Sequence, residues 1–488
     1  MTILEHPEAQ AILNDAVLTV EQVEEIGQRI QPFLQRYLPL FKRSEQRSNA
    51  LHILEGKLSS LSRKTAEPIA HHLGVRREVL QDFLGVSPWD DQLVLAEIRK
   101  HVGEVWNDPQ GVLTGDGSAF PKKGTHSCGV KRQHCGRLGK VENCQIGVFL
   151  GYACRWGHTL FDHRLFLPKE WANDPQRREE TGVPRDVVYK ETWELFLDEV
   201  DECKDVPHSW VTADSEFGRV YKCRKGLRDR HERYVVDVRN NMLIRDLRAP
   251  LPERKSNRGA QPKQPWQAIA AWTESQPASS WTVFEIRAGE KGPLLVEATQ
   301  TQVQTLDNNR RVGEEERLVV IRTVNNQEAK SWWTLSNAEE KVPLAEVVRA
   351  HAQRYWEEAG LKEAKSEVGM AHYEVRGWRG WHHHMSMSLL ALWFLGLERF
   401  REQTTTPALT VSVLREVFSR VLALGQLTRE GIVRELNEVL RRTEEARIYH
   451  WVANTGKYPP RRTIASTHGV TVVEVGESGA PPGLSRVA

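Results

Sequence analysis

The sequence predicts a mixed α/β protein with helices at both ends. Three observations carry this. In the first hundred residues, stretches such as VEQVEEIGQRIQPFLQRYLPLF and RSEQRSNALHILEGKLSSL space apolar residues three and four apart, as helices do. From residue 110 short apolar runs bounded by glycine and charge take over, which is a strand signal. Helical periodicity returns at LAEVVRAHAQRYWEEAGLKEAKSEV and continues toward the C-terminus.

Taken in order, RKTAEPIAHHLGVRREVLQDFLGVSPWD (63–90) reads as two short helices joined at Leu73-Gly74-Val75. That pattern is compatible with a helix-turn-helix and suits an ordinary helical hairpin better, since glycine between helices is common. If it binds DNA, Arg76, Arg77 and Gln81 lie on the second helix and reach phosphates or bases. GVLTGDG, IGVFLGYAC, TLFDHRLFL, SWVTADSEFG and RYVVDVR then read as strands, with KETWELFLDEVDEC and VYKCRKGLRDRHE as helices among them. APLPERKSNRGAQPKQPW (249–266), rich in proline and base, reads as a loop. WTVFEIRA, PLLVEATQTQVQTL, ERLVVIRTV and SWWTLS form a β-rich insertion, and the tail after Pro459 is expected to be loosely ordered. The division that follows is a helical N-terminal unit (1–105), a core in two parts (106–239 and 346–400) around the insertion (240–345), and C-terminal helices with the tail (401–488).

Composition excludes more than it selects. At 488 residues, 40% hydrophobic and 27% charged, the chain has the make-up of a globular protein, and 67 basic against 65 acidic residues give no net field. The start lacks a basic segment, an apolar run and a small-residue cleavage site, so no secretory signal is expected. MSMSLLALWFLGL (385–397) is too short for the roughly 20 apolar residues of a membrane span and reads as a buried helix. The six cysteines form no CxxC pair, which gives a zinc site no support, and free thiols in a reducing cytoplasm are expected. Phosphate-binding GxxxxGK[ST] and nucleophilic GxSxG motifs are both absent. His382, His383 and His384 are consecutive and on a helix point in different directions, so interhelical or DNA-backbone contacts suit them better than one metal ion. Trp378 and Trp381 read mainly as buried packing.

Three carboxylates stand out. Asp116 and Asp214 each lie where an apolar strand, GVLTGD or SWVTAD, is expected to end and leave the core. In RYWEEAGLKEAK (354–365), four residues advance about 40° past one helical turn and seven fall about 20° short of two, so Arg354, Glu358 and Lys365 share a stripe. Glu357 points about 100° away. Spacing alone fits a surface Arg354–Glu358 pair worth roughly 0.3–0.5 kcal/mol. Acids from three parts of an α/β sheet also suit two hard divalent cations about 4 Å apart, the arrangement for in-line attack on a phosphodiester. Between Gly117 and Val141 the chain carries Lys122, Lys123, Lys131, Arg132, Arg137 and Lys140 and no acid, and RVYKCRKGLRDRHER follows Asp214. Cations flanking both aspartates favour nucleic acid as the partner.

These blocks are familiar as a set. DGSAFPKKGTHSCGVKRQHCGRLGKVENCQIGV resembles the first catalytic block of bacterial insertion-sequence transposases of the DDE type, with Arg132, Gln133 and Gly136 in its arginine-glutamine-x-x-glycine segment. LFLPKEWANDPQRREETGVP with WVTADSEFG resembles the second block, and RYWEEAGLKEAKSEVGMAHYEVRGWRGWHHHMSMSLLALWFL the third, with Arg354, Glu358 and Lys365 at its signature positions. QRSNALHILEGKLSSLSRKTAEPIA and LQDFLGVSPWD extend the likeness over roughly residues 40 to 400. His351 stands where that family has tyrosine, Leu361 where it has phenylalanine, and Gly117-Ser118 follow the first aspartate.

The resemblance implies a ribonuclease-H-like catalytic core with a β-rich insertion and a helical N-terminal DNA-binding domain. It implies Asp116, Asp214 and Glu358 as catalytic metal ligands for two Mg²⁺ ions, with Mn²⁺ able to substitute. Arg354, Lys365, Lys122, Lys123, Arg132, Arg76 and Arg77 become expected DNA contacts. The implied function is cut-and-paste transposition on double-stranded DNA by a homodimer in the synaptic complex, in the bacterial cytoplasm at the nucleoid. A catalytically silent, domesticated DNA-binding protein is the alternative, and a stand-alone structure-specific nuclease a third reading.

Overall fold

Every strand described in the computed structural model joins one 13-stranded mixed sheet. The described residues are 2–253, 262–307, 310–324, 330–422, 428–463 and 473–474. Residues 254–261 of the 249–266 loop and most of the tail after Pro459 lie outside them. The strands are β1 Val112–Pro121, β2 Lys131–Cys135, β3 Lys140–Cys154, β4 Gly157–Leu165, β5 Trp210–Ala213, β6 Tyr234–Val238, β7 Leu243–Asp246, β8 Gln267–Ala268, β9 Thr282–Ala288, β10 Pro293–Leu306, β11 Val312–Thr323, β12 Ser331–Ser336 and β13 Val473–Glu474.

At the centre, β1 runs antiparallel to β3 on one side and parallel to β5 on the other, and β5 runs parallel to β6. The short WVTA of β5 is buried throughout, as a parallel strand covered on both faces must be. Phe196 of the helix Thr192–Asp201 covers one face so closely that a Cβ at Gly115 would stand 2.2 Å from its ring. The helix Tyr355–Ser366 covers the other face at Thr114. The insertion strands extend this same sheet, because β12 pairs antiparallel with β6 and then with β11.

Seven helices precede β1 among the described residues. Ala66–Leu73 ends on Gly74 at φ +67°, with the Val75 N–H reaching back to the Ala70 carbonyl, and Arg77–Gly85 follows. Left-handed backbone is natural for glycine at that cap. Arg76 takes the extended N-cap position, so it stands just before the second helix and not on it. The helices at the two chain ends share one apolar cluster with the sheet, in which Ile26 and Leu34 join Leu414, Phe418 and Leu436.

Through this cluster runs the 25-residue helix Trp378–Glu402. It carries the three histidines, all buried. His383 lies stacked on Trp89 with ring centroids 3.6 Å apart, between the Leu84 and Trp89 carbonyls at 3.1 and 2.9 Å. His382 meets the Trp378 carbonyl and His384 the Met370 carbonyl. Their contacts are therefore internal, and the DNA-backbone alternative fails because the imidazoles are not accessible. Trp381 packs in the core and Trp378 against it. The six cysteines are buried free thiols. No described helix is long and apolar enough to cross a membrane.

Candidate active site

Asp116 is not at the end of its strand, as GVLTGDG had suggested. β1 continues to Pro121 along β3, and only its parallel pairing with β5 stops, at Gly115↔Ala213. Beyond that row no strand among the described residues pairs with β1 on the β5 side, and the residues that come next are Asp116 on β1 and Asp214 just past β5. Both aspartates are half-buried at this opening. The sheet thus brings together two acids almost one hundred positions apart in the chain.

Each aspartate has one oxygen committed to backbone. Asp116 Oδ1 accepts the Gly117 N–H at 2.7 Å, and Asp214 Oδ1 caps the short helix Ser215–Gly218 through the Glu216 and Phe217 N–H groups at 2.9 and 3.3 Å. Burial and then the like charge of Asp214 push Asp116 up to about 7, against the pull of Arg354. Burial pushes Asp214 up to about 6, again opposed by Arg354. Two carboxyls that resist ionising side by side are characteristic of functional sites.

The helix Tyr355–Ser366 lies along the face of β1 that carries residues 114, 116 and 118. Its two glutamates part company there. Thr114 Oγ1 donates to Glu357 Oε2 at 2.5 Å, and burial pushes this carboxyl well above the usual carboxylate range. Glu357 fills its space fully, since a Cβ on Gly151 would stand 2.2 Å from Oε2. Glu358 is 57% exposed and accepts from Arg354 Nη1 at 2.7 Å. Lys365 Nζ donates to Ser118 Oγ at 2.6 Å, two residues along the strand from Asp116.

Arg354 also pairs through Nε with Asp237 of β6 at 3.1 Å, and His351 Nε2 holds the other Asp237 oxygen at 2.8 Å. Burial opposes ionisation of Asp237, but His351 and then Arg354 overcome it and hold the carboxyl below its ordinary value. This network of Asp237 and His351 behind Arg354 was not read from the sequence. The available signal was a lone aspartate inside the otherwise apolar strand YVVDV, where a buried charge requires a partner. His351, out of pattern for the resemblance, is that partner.

Carboxylate oxygens as the only donors fit a hard divalent cation, and each aspartate keeps its Oδ2 for one. Among the described residues, however, no three His, Cys, Asp or Glu side chains stand together closely enough to hold a metal ion. Glu358 is turned to Arg354 and leaves the set at two.

The other expected DNA contacts fall in different places. Lys122 is half-buried, donates to the Tyr373 carbonyl at 3.1 Å and sits 3.2 Å over its ring, and burial lowers it to about 8. Lys123 is exposed beyond the end of β1, and Arg132 is exposed on β2. Arg76 and Arg77 are exposed about the turn at Gly74, with Arg77 paired to Glu67 and Glu78 at 3.4 and 3.0 Å.

With this geometry in hand, comparison with known proteins is direct. The family profile of the DDE superfamily endonucleases matches residues 36–293, more than half of the chain. The chain belongs to this family. The matched segment contains Asp116, Asp214 and the basic blocks and stops before Glu358. A curated relative, the probable transposase for insertion sequence element IS701 of Microchaete diplosiphon, is 24% identical over 352 residues, covering 71% of this chain and 81% of the relative. Among solved structures, a piggyBac transposase in a synaptic complex with hairpin DNA aligns over 96% of this chain and 89% of its own, at 11% identity and a TM-score of 0.32.

Proposed function

We propose that this DDE-superfamily chain is an insertion-sequence DNA transposase that nicks the ends of its element and joins the freed 3′-hydroxyls to target DNA. The observation that carries the reading is that Asp116 and Asp214 follow the last paired row of β1 and β5, within electrostatic reach of each other and of Arg354, the partner of Glu358. The central strand order, three antiparallel strands β4-β3-β1 followed by the parallel β5 and β6, supports reading a ribonuclease-H-like core with β7 to β12 as its insertion. The IS701 relative supports transposition as the use of that core.

In this reading Asp116, Asp214 and Glu358 hold divalent cations, Mg²⁺ or Mn²⁺, which supply Lewis-acid activation of a water or 3′-hydroxyl and neutralise charge on the leaving oxygen. Arg354, braced by Asp237 and His351, exchanges Glu358 for a backbone phosphate. Lys365 takes a second phosphate two residues along β1. Lys123 and Arg132 continue the phosphate track, while Arg76 and Arg77 at the helical turn meet the duplex further away. Two element ends cleaved together call for a symmetric pair of subunits.

The test is nicking and strand transfer on labelled DNA carrying the element's flanking ends, with Mg²⁺ or Mn²⁺, comparing wild type, Glu358→Gln and Glu357→Gln. The expected result is metal-dependent nicking and joining that is lost in Glu358→Gln and kept in Glu357→Gln, because Glu357 is buried against Thr114. End binding without cleavage under either metal moves the chain to a silent DNA-binding role.

A further inference from the structure

β3 outruns its partner. Pairing with β1 ends at Pro121↔Cys144, and β3 continues outward to Lys140, paired with β2 from Lys131↔Cys144 to Cys135↔Lys140. The product is a two-stranded ribbon, residues 131–144, closed by a tight turn through Gly136–Leu138 and Gly139. On one face Arg132 and His134 are exposed, with Val141 directly across from His134. At the tip Leu138 is 45% exposed, and Val141 is 56% exposed. Four cations, Lys131, Arg132, Arg137 and Lys140, stand against one acid, Glu142. Lys131 pairs with Glu170, and Lys140 with Glu142 at 3.2 Å. Such exposed pairs are weak and give way to a phosphate.

The register fixes where this ribbon reaches. Asp116 lies opposite Phe149, and Lys140 is nine residues further along β3. At about 3.3 Å per residue the tip stands roughly 30 Å from Asp116, along the direction in which Ser118, Lys365 and Lys123 follow one another. A duplex rises about 3.4 Å per base pair, so this is about nine base pairs, close to one helical turn. A major groove admits a two-stranded ribbon, and there apolar side chains meet thymine methyls and arginine meets guanine.

We propose that the 131–144 ribbon docks in the major groove of the element-end duplex about nine base pairs from the cleaved phosphate, with Leu138 and Val141 against base edges and Arg132 as its polar reader. The proposal rests on the transposase reading and adds to it the part of the end that is recognised.

The test is methylation protection of guanine N7 on element-end DNA, together with end-nicking rates, for the full chain as wild type, Arg132→Ala, Leu138→Ser and Lys140→Ala. All three positions are exposed, so folding is retained. The expected result is a protected patch centred about nine base pairs from the nick, lost in Arg132→Ala and Leu138→Ser with about tenfold weaker end binding. Lys140→Ala weakens binding to all DNA and lowers its salt dependence. A wild type that binds and nicks ends without that patch, or variants that keep it, overturn the ribbon proposal alone. Variants that keep the patch and change the oligomeric state of the DNA-free protein assign the ribbon to a contact between copies and also overturn it. A wild type that neither binds nor nicks ends fails the transposase reading itself.

Discussion

Asp116 and Asp214 at the β1–β5 opening and His382 to His384 inside the helix Trp378–Glu402 are both groups of metal-ligating residue types, and the fold treats them in opposite ways. The aspartates come from separate strands and stay half-open to solvent; burial raises both, and the like charge of Asp214 raises Asp116 further. The histidines come from one helix turn, point apart, and each ends on a backbone carbonyl in the core, where burial lowers them. The buried histidines are matched with carbonyl partners, whereas the aspartates keep a charge that burial opposes, as functional sites do.

The comparison breaks most sharply at the aspartates. Asp116→Asn or Asp214→Asn is expected to reduce end nicking to background. In metal-free buffer at pH 8 the same change should raise the thermal midpoint. A carboxyl raised from its ordinary value to about 7 binds more protons folded than unfolded, so its contribution declines as pH rises toward 7 and its charge opposes folding above that. Calorimetry at pH 8 that finds Asp116→Asn less stable than wild type would remove the charge-imbalance argument.

His383→Ala should do the reverse. It removes the stack on Trp89 and leaves a buried carbonyl without its donor, at a cost of about 2 kcal/mol or more in denaturant melts. Nicking per folded molecule should be unchanged, and a chelator should not move its midpoint. Acid sharpens the same contrast. His383 and His101 are both lowered to about 4 by burial, against about 6.5 in an unfolded chain. Their stabilisation is complete above about pH 6.5 and is lost as pH falls toward 4, so His383→Ala should lose less stability than wild type across that window.

The smallest effect expected is at the junction. Asp237→Asn removes the carboxylate shared by His351 and Arg354, and nicking should fall by about tenfold, a change of about 1.4 kcal/mol. In an Arg354→Ala background the same substitution should add nothing, because Asp237 acts through that guanidinium.

Much of this was legible in the residues because it is local. Alternation marked PLLVEATQTQVQTL and SWWTLS, which are β10 and β12 residue for residue. Helical spacing placed Arg354 over Glu358, and the two do pair. The basic ribbon strand KRQHC was not read as a strand, because nothing apolar alternates in it; its pairing with β3 alone makes it one.

By itself the sequence determined the α/β order of elements, the stripe on the helix Tyr355–Ser366 and the basic blocks around two aspartates, since periodicity and composition act over a few residues. Only the tertiary structure decided that Asp116 stands mid-strand beside Asp214, that Glu357 is sealed under Thr114 while Glu358 faces out, and that His351 reaches Arg354 through Asp237. Each of these depends on which strand ends beside which and which side chain loses its water. Those are relations between distant segments, set by sheet pairing and burial, and no local pattern encodes them.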